Sequence, residues 1–408
     1  MTQTRKGKVA YIATVYTHLA AFHLPFMSDL RAAGFTVHAY ASPDHGRGEV
    51  DAAGFECRDL PFSRNPLALG NLRAMRELIG WLKRERYDLI HVHTPNASVV
   101  CRVAARLAGQ PAPQIVYTAH GFHFYSGAPW RNWLLYYPLE RFLSRWTDVL
   151  VTINREDERR AVAFPVRGRS VYVPGVGVDR SLHAAWEGDE RERLRRDLGL
   201  APDEFAVLCI AELNRNKNQG QLISAIAELR RRGLPAVLLL AGVGREEARY
   251  RQLAAESGAA QAVRFLGYRR DVPQLLQAAD ALALLSRREG LPKALLEGLA
   301  AGRPLVATAV RGSRDLVVPG RNGYLVAVGD VAAAADALEQ LQQDAARRRR
   351  MGEYSRKLAE LYDLEQIRRD VAAVYAGLGL MERTEVCREQ PSLGGAEEGK
   401  VYDQAIPE

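Results

Sequence analysis

Short runs rich in Val, Ile, Tyr and Thr alternate with segments of helical length along nearly the whole chain. Runs of this kind stand at 8–14 (KVAYIAT), 35–41, 88–94 (DLIHVHT), 114–120 (QIVYTAH), 148–154 and 170–174. Most are separated by stretches such as NPLALGNLRAMRELIGWLKRERY. Alternation of periods 2 and 3.6 predicts βαβ units and a parallel sheet. A Gly-rich break, PGVGVDRSLHAAWEG at 174–188, interrupts the rhythm, which then restarts. EFAVLCIAEL, PAVLLLAGVG, AVRFLG, ADALALLS, RPLVATAV and GYLVAV are the second series of strands, with helices expected from about 217, from 245 and near 273. The pattern predicts two α/β domains, 1–180 and 181–360. A helix over 361–381 is expected to cross back to the first domain, and 382–408 reads as a polar, disordered tail.

With 408 residues the chain is too long for one ordinary core. Lys and Arg outnumber Asp and Glu 56 to 48, a net +8 that favours anionic partners. No DNA-reading motif or aromatic RNA platform accompanies that charge, so nucleic acid is not an expected partner. Four scattered cysteines without a CxxC pair fit a reducing compartment and no structural zinc. The start, MTQTRKGKVAYIAT, lacks the apolar core of a signal peptide. No uncharged apolar run reaches the roughly 18–20 residues that span a bilayer. A cytoplasmic protein is the expectation.

The stretch SRREGLPKALLEGLAAGRPLVAT, residues 286–308, carries the most chemistry. A strand over 281–285 runs into a turn holding Glu289, Gly290, Leu291 and Pro292, and Pro292 marks the start of a helix that holds Glu297. A helix amino end offers free N–H groups to a phosphate. Carboxylates only accept hydrogen bonds when ionised, so Glu289 suits sugar hydroxyls and Glu297 a ribose diol. Two glutamates eight positions apart are common by chance; the flanking Gly-Leu-Pro turn and the α/β context give the pair weight.

This segment, with GSRDLVVPGRNGYLV after it, resembles the E-x7-E donor signature of the retaining glycosyltransferases of family four. DLIHVHTP, VYTAHG, VPGVGVD and AELNRNKNQ are similar to further motifs of that family, so the likeness covers roughly 8–380. ATVYTHLAAFHLPFM and the segment from TAHGFHFYSG onward are similar to the bacterial enzymes that build capsule, exopolysaccharide and O-antigen units. The resemblance implies the GT-B fold, two Rossmann-like doubly wound domains facing a central cleft. It implies a nucleotide-sugar donor, such as a UDP-N-acetylhexosamine, and a lipid-linked or saccharide acceptor.

The resemblance also implies roles. Glu289 would hold the donor sugar, Glu297 the ribose, and Lys217 would neutralise the leaving diphosphate, whose charge needs cations or N–H groups in any case. Glu212 stands where many relatives carry Arg, leaving Arg215 or Asn214 to substitute. His120, at the end of the run QIVYTAH, would meet the transferred sugar or its β-phosphate. Thr17 and His18 follow the first strand, and with His93 and His123 they form the acceptor-side set. His91 and His93 share a strand face, which fits a metal pair or, with no third ligand evident, packing. Tyr268, Arg269 and Arg270 read as a base pocket or as a solvated basic turn. The chain has no Asp-x-Asp, so the reading is metal-independent, with no cofactor.

Two rivals share this architecture: a nucleotide-sugar 2-epimerase and a non-enzymatic hinge-binding protein. The first needs an acid and a base at the sugar C2 that these motifs do not supply. The second is usually exported. FYSGAPWRNWLLYYPLERFLSRW holds three Trp, three Tyr and three Arg, a mixture suited to a membrane interface or to a core. The cationic segment 64–86, with Arg64, Arg73, Arg76, Lys83, Arg84 and Arg86, fits the same two readings. Peripheral contact with the inner membrane face is the corresponding expectation.

Overall fold

The computed structural model describes residues 7–63, 65, 66, 68–109, 112–184 and 189–381. The first unit holds one sheet of β1 (Lys8–Val15), β2 (Thr36–Ser42), β3 (Glu56–Asp59), β4 (Leu89–His93), β5 (Gln114–Ala119), β6 (Val149–Thr152) and β7 (Arg169–Tyr172). Its order is β3-β2-β1-β4-β5-β6-β7, with every neighbouring pair parallel. The second unit holds β8 (Phe205–Ile210), β9 (Ala236–Ala241), β10 (Val263–Gly267), β11 (Ala281–Leu284), β12 (Leu305–Thr308) and β13 (Gly323–Val326). Its order, β10-β9-β8-β11-β12-β13, is again wholly parallel.

Parallel strands need crossover helices, which cover both sheet faces and demand apolar side chains on each. All six residues of β9 (AVLLLA) and all five of β4 (LIHVH) are accordingly buried. The edge strand β3 (ECRD) is polar and escapes sequence detection for that reason: half-exposed, it needs no apolar alternation. In each unit the strand order reverses once, between β1 and β4 and between β8 and β11. Loops on either side of such a reversal part at the carboxyl ends of the strands and leave a crevice.

The division falls between Val176 and Gly177, four residues before the expected boundary, and the second unit runs to Leu364. From Glu365 to Met381, the last described residue, the chain belongs to the first unit. The helix Leu364–Ala376 is fixed there by polar contacts. Arg368 makes a two-pronged bond to Asp29, its Nε donating to Oδ2 at 2.9 Å. The Tyr375 hydroxyl lies 2.6 Å from His91 Nδ1, and His91 Nε2 lies 2.8 Å from Thr118 Oγ1. Both nitrogens of this buried ring are therefore occupied, which makes His91 a scaffold residue and removes it from a metal pair with His93. The tail expected over 382–408 and Arg64 of the cationic segment lie outside the described residues.

Tyr375→Phe keeps the ring and deletes the partner of a buried imidazole. An unmet buried polar group costs about 1–3 kcal/mol, so urea unfolding of the first unit is expected at a lower midpoint. An unchanged midpoint would show that water replaces the hydroxyl.

Candidate functional site

Two loops meet at the β8/β11 reversal. One leaves β8 at Ile210 and enters the helix Gln219–Arg231; the other leaves β11 at Leu284 and enters the helix Lys293–Ala300. They are stitched backbone to backbone and side chain to backbone. Arg287 N donates to Asn216 O at 2.7 Å, Asn216 Nδ2 to Arg288 O at 3.0 Å, and Asn218 Nδ2 to Leu285 O at 3.0 Å. Asn218 has φ 54° and ψ 38°, a left-handed turn that Asn adopts more readily than most residues. Asn214 Oδ1 accepts from Lys217 N at 2.9 Å, fixing the two residues between.

The result is an ion pair across the crevice: Lys217 Nζ stands 2.6 Å from Glu289 Oε1. Glu289 is almost fully buried, and Lys217 keeps partial access to solvent. The loop carrying Glu289 is also clamped from behind. The buried Arg311 donates through Nε to Glu289 O at 3.1 Å. Gly312, with φ 74°, follows it, and a Cβ built there would stand 2.0 Å from Gly290 O and 3.1 Å from Leu291 Cα. Sequence reading passed over Arg311; its signal was the Val-Arg-Gly-Ser stretch that leaves β12.

Pro292 is extended (φ −75°, ψ 116°) and caps the second helix, with Gly290 and Leu291 before it in the turn. Glu297 lies in the fifth position of that helix. Burial pushes its carboxyl above the usual range, with Lys293 at 3.9 Å pulling the other way. Lys217, Glu289, Gly290, Leu291 and Pro292 thus belong to one pair of bonded loops, with Glu297 in the helix that follows the second.

The other expected donor-side residues are placed differently. Arg215 turns to Glu246 at 3.2 Å with its side chain 77% exposed. The Asn214 carbonyl accepts from the Tyr250 hydroxyl at 2.9 Å. Both residues are engaged in holding the loop, and Glu212 is exposed. Tyr268 is 66% exposed beyond β10, and Arg269 Nε donates to Asp271 Oδ1 at 2.7 Å. They sit at the carboxyl edge, with β9 and β8 between them and β11.

The first unit gathers histidines at its own reversal. His93 ends β4 and is followed by Thr94, whose φ of 71° is a strained value for a β-branched residue. Its Oγ1 contacts Thr14 Oγ1 at 2.7 Å and accepts from Thr14 N at 3.2 Å, which ties the end of β1 to the residue just beyond β4. His120 Nε2 lies 3.4 Å from His93 Nδ1. His18 packs edge-on to His120 at 4.6 Å between ring centroids, and His23 lies 3.7 Å from His93. His23 was not singled out by sequence. Its signal was a second histidine five residues after His18, where the helices Tyr16–Phe22 and Leu24–Ala32 meet.

Burial, reinforced by repulsion from neighbouring histidines, holds His23, His93 and His120 well below the usual histidine range, so these rings are uncharged at neutral pH. Thr17 stands apart from the cluster, bonded twice to Asp44, at 2.9 Å through its N–H and 2.6 Å through its hydroxyl. His123 stacks on Tyr136 at 4.6 Å.

Both units match known protein families. Residues 24–175 match the family Glycosyl transferase 4-like domain and residues 190–358 match Glycosyl transferases group 1. EpsD of Bacillus subtilis strain 168, named as a glycosyltransferase, is 39% identical over 93% of this chain and 98% of its own length. An Escherichia coli protein named UDP-Gal:alpha-D-GlcNAc-diphosphoundecaprenol alpha-1,3-galactosyltransferase is 29% identical over 69% of this chain and 73% of its own. Among solved structures, Anabaena Alr3699/HepE in complex with UDP and glucose covers 91% of this chain and all of its own. It has a TM-score of 0.75 at 20% identity. WaaG, described as a glycosyltransferase involved in lipopolysaccharide biosynthesis, covers 90% of this chain and all of its own, with a TM-score of 0.70 at 19% identity.

Gly312→Val places a branched side chain against the Gly290 carbonyl at a left-handed φ. The variant is expected to melt several degrees lower and to lose roughly tenfold or more in turnover, because the Glu289 loop must move to make room. Wild-type melting and turnover would show that the close approach is dispensable.

Proposed function

We propose a reaction for this chain from one premise: it belongs to the group 1, family-4-type glycosyltransferases and has their GT-B fold. The reaction moves a sugar from a nucleotide-sugar, a UDP-sugar such as a UDP-N-acetylhexosamine, to a lipid-linked saccharide during synthesis of a bacterial surface polysaccharide. The observation that carries this reading is the Lys217–Glu289 pair at the β8/β11 crevice. It sets a cation for a diphosphate beside a buried carboxylate for sugar hydroxyls. The EpsD name supports glycosyl transfer, and the E. coli name supports a UDP-sugar donor and a diphosphate-lipid acceptor. The HepE complex supports a uridine donor.

In this mechanism the bond between the sugar C1 and the β-phosphate oxygen breaks, and its electron pair leaves with the diphosphate. The acceptor hydroxyl attacks C1 from the face being vacated and gives its proton to the departing phosphate oxygen. Lys217 stabilises the charge growing on the diphosphate, and Glu289 accepts from the sugar hydroxyls as the ring gains oxocarbenium character. Donor binding must first draw the Lys217 ammonium off Glu289, so the ion pair marks the state without donor. Glu297 accepts from the ribose diol. On resemblance, His120 meets the sugar or its β-phosphate, and Thr17, His18, His93 and His123 face the acceptor. No metal is assigned to the diphosphate. The linkage formed keeps the α configuration.

A lipid-linked acceptor lies at a membrane, and the helix Trp130–Leu143 has the character to reach one. Trp130 is 69% exposed, and Leu134, Leu135 and Phe142 are exposed with it, among Arg131, Arg141 and Arg145. Apolar side chains flanked by arginine suit an anionic bilayer face. Peripheral attachment to the cytoplasmic side of the inner membrane follows as part of the proposal. Among the described residues no helix is long and apolar enough to cross a membrane.

Lys217→Ala is expected to weaken UDP binding at least tenfold while uridine binding changes little, by calorimetry on the full chain, and EDTA is expected to leave UDP affinity unchanged. Equal losses for UDP and uridine would remove Lys217 from the phosphate.

The whole reaction is tested by offering UDP-, GDP- and dTDP-sugars with undecaprenyl-diphosphate-linked saccharides and reading the product's anomeric proton by NMR. An α linkage from a UDP-sugar is expected, with Glu289→Gln folded but losing most of the rate. A β linkage, or nucleotide-sugar isomerisation without acceptor, would sink the reading.

A further inference from the structure

We propose that His18, His23 and His120 form a binding site for one divalent transition-metal ion of the zinc class at the carboxyl edge of the first unit's sheet. The three residues come from the end of β5 and from the helical segments after β1. Each offers one ring nitrogen, and these nitrogens lie within 4.8 Å of one another. A tetrahedral ion with bonds of about 2.0–2.1 Å holds its nitrogens about 3.4 Å apart. Closing the site therefore asks for side-chain rotations that shift the nitrogens by about 1.5 Å at most.

His23 directs the cluster toward a ligand. It is 2% exposed, and neither Nδ1 nor Nε2 has a hydrogen-bond partner. A buried ring with both polar atoms unmet is rare in folded proteins. What it faces is other imidazole: His93 at 3.7 Å, His18 at 5.1 Å and His120 at 5.1 Å between ring centroids. His93 supplies a fourth ring: its Nδ1 lies 3.4 Å from His120 Nε2, and its Nε2 is unpartnered. His91 is excluded, because Tyr375 and Thr118 occupy it.

An all-imidazole set chooses among metals. Imidazole suits Zn²⁺, Cu²⁺ and Ni²⁺, whereas Mg²⁺ and Ca²⁺ take oxygen ligands. Three protein nitrogens would leave a tetrahedral ion one open position. The set draws His18 from the acceptor-side residues and shares His120 with the proposed sugar contact, whereas Lys217, the proposed diphosphate residue, is not part of it.

Cobalt is the spectroscopic probe. The full chain, stripped with EDTA and desalted, is titrated with Co²⁺ and then with Zn²⁺, with no donor or acceptor present, so the outcome is independent of the transferase reading. One Co²⁺ per chain with the intense visible bands of a tetrahedral site is expected, displaced by one equivalent of Zn²⁺. Zn²⁺ is expected to raise the melting temperature of the wild type, and Mg²⁺ to leave it unchanged. His18→Ala, on the surface-accessible side, should weaken Zn²⁺ binding roughly a hundredfold while the metal-free protein melts as the wild type does. His23→Ala should abolish binding; should it fail to fold, His18→Ala decides alone. Unchanged Zn²⁺ affinity in folded His18→Ala, a wild type that binds no stoichiometric Co²⁺ or Zn²⁺, or equal stabilisation by Mg²⁺ would each overturn the proposal.

Discussion

A parallel sheet joined by crossover helices sends every strand the same way, so all its carboxyl ends open on one edge. That constraint, met twice in this chain, decides where chemistry can accumulate. In the second unit the loops after β8 and β11 are brought together because these strands are neighbours, although 72 residues separate Asn216 from the Arg288 carbonyl that its Nδ2 donates to. In the first unit the ends of β1, β4 and β5 do the same for the histidines. Side chains far apart in sequence meet at these edges because the sheet leaves them nowhere else to go.

Much of this was legible in the residues. Parallel strands covered on both faces must be apolar throughout, so AVLLLA and DLIHVHT announce themselves, and the Gly-Leu-Pro turn marks the loop that bears Glu289. Other features were hidden for physical reasons. β3 lies at an edge and carries no apolar pattern. Arg215 looked free to replace the cation missing at Glu212, because a linear sequence does not show Glu246 returning beside it after β9. Arg311 and His23 act through neighbours supplied by other strands, and only the folded edge shows their partners. His91 and His93 looked equivalent on one strand face. The fold separates them, since the hydroxyl of Tyr375 reaches only His91.

The Lys217–Glu289 contact is a charged pair that completes itself. Two opposite charges in a half-buried crevice satisfy each other and avoid the cost of burying either one alone. The surrounding bonds, from Asn214, Asn216, Asn218 and Arg311, act mainly on backbone groups of the two loops. They hold the loops while leaving the ammonium able to exchange its partner. In the proposed reaction a diphosphate would offer that ammonium a denser anionic charge than a single carboxylate, and Glu289 would be released as an acceptor for sugar hydroxyls.

The return of the chain to the first unit at Glu365 sets an order of assembly during synthesis. A ribosome delivers β1 to β7 first, then the entire second unit, and only afterwards the helix that carries Arg368 and Tyr375. Through that interval His91 lacks its phenol and Asp29 its guanidinium, so the first unit waits, one element short, for the last helix to emerge. A ribosome stalled before residue 365 would leave the first sheet without its closing piece.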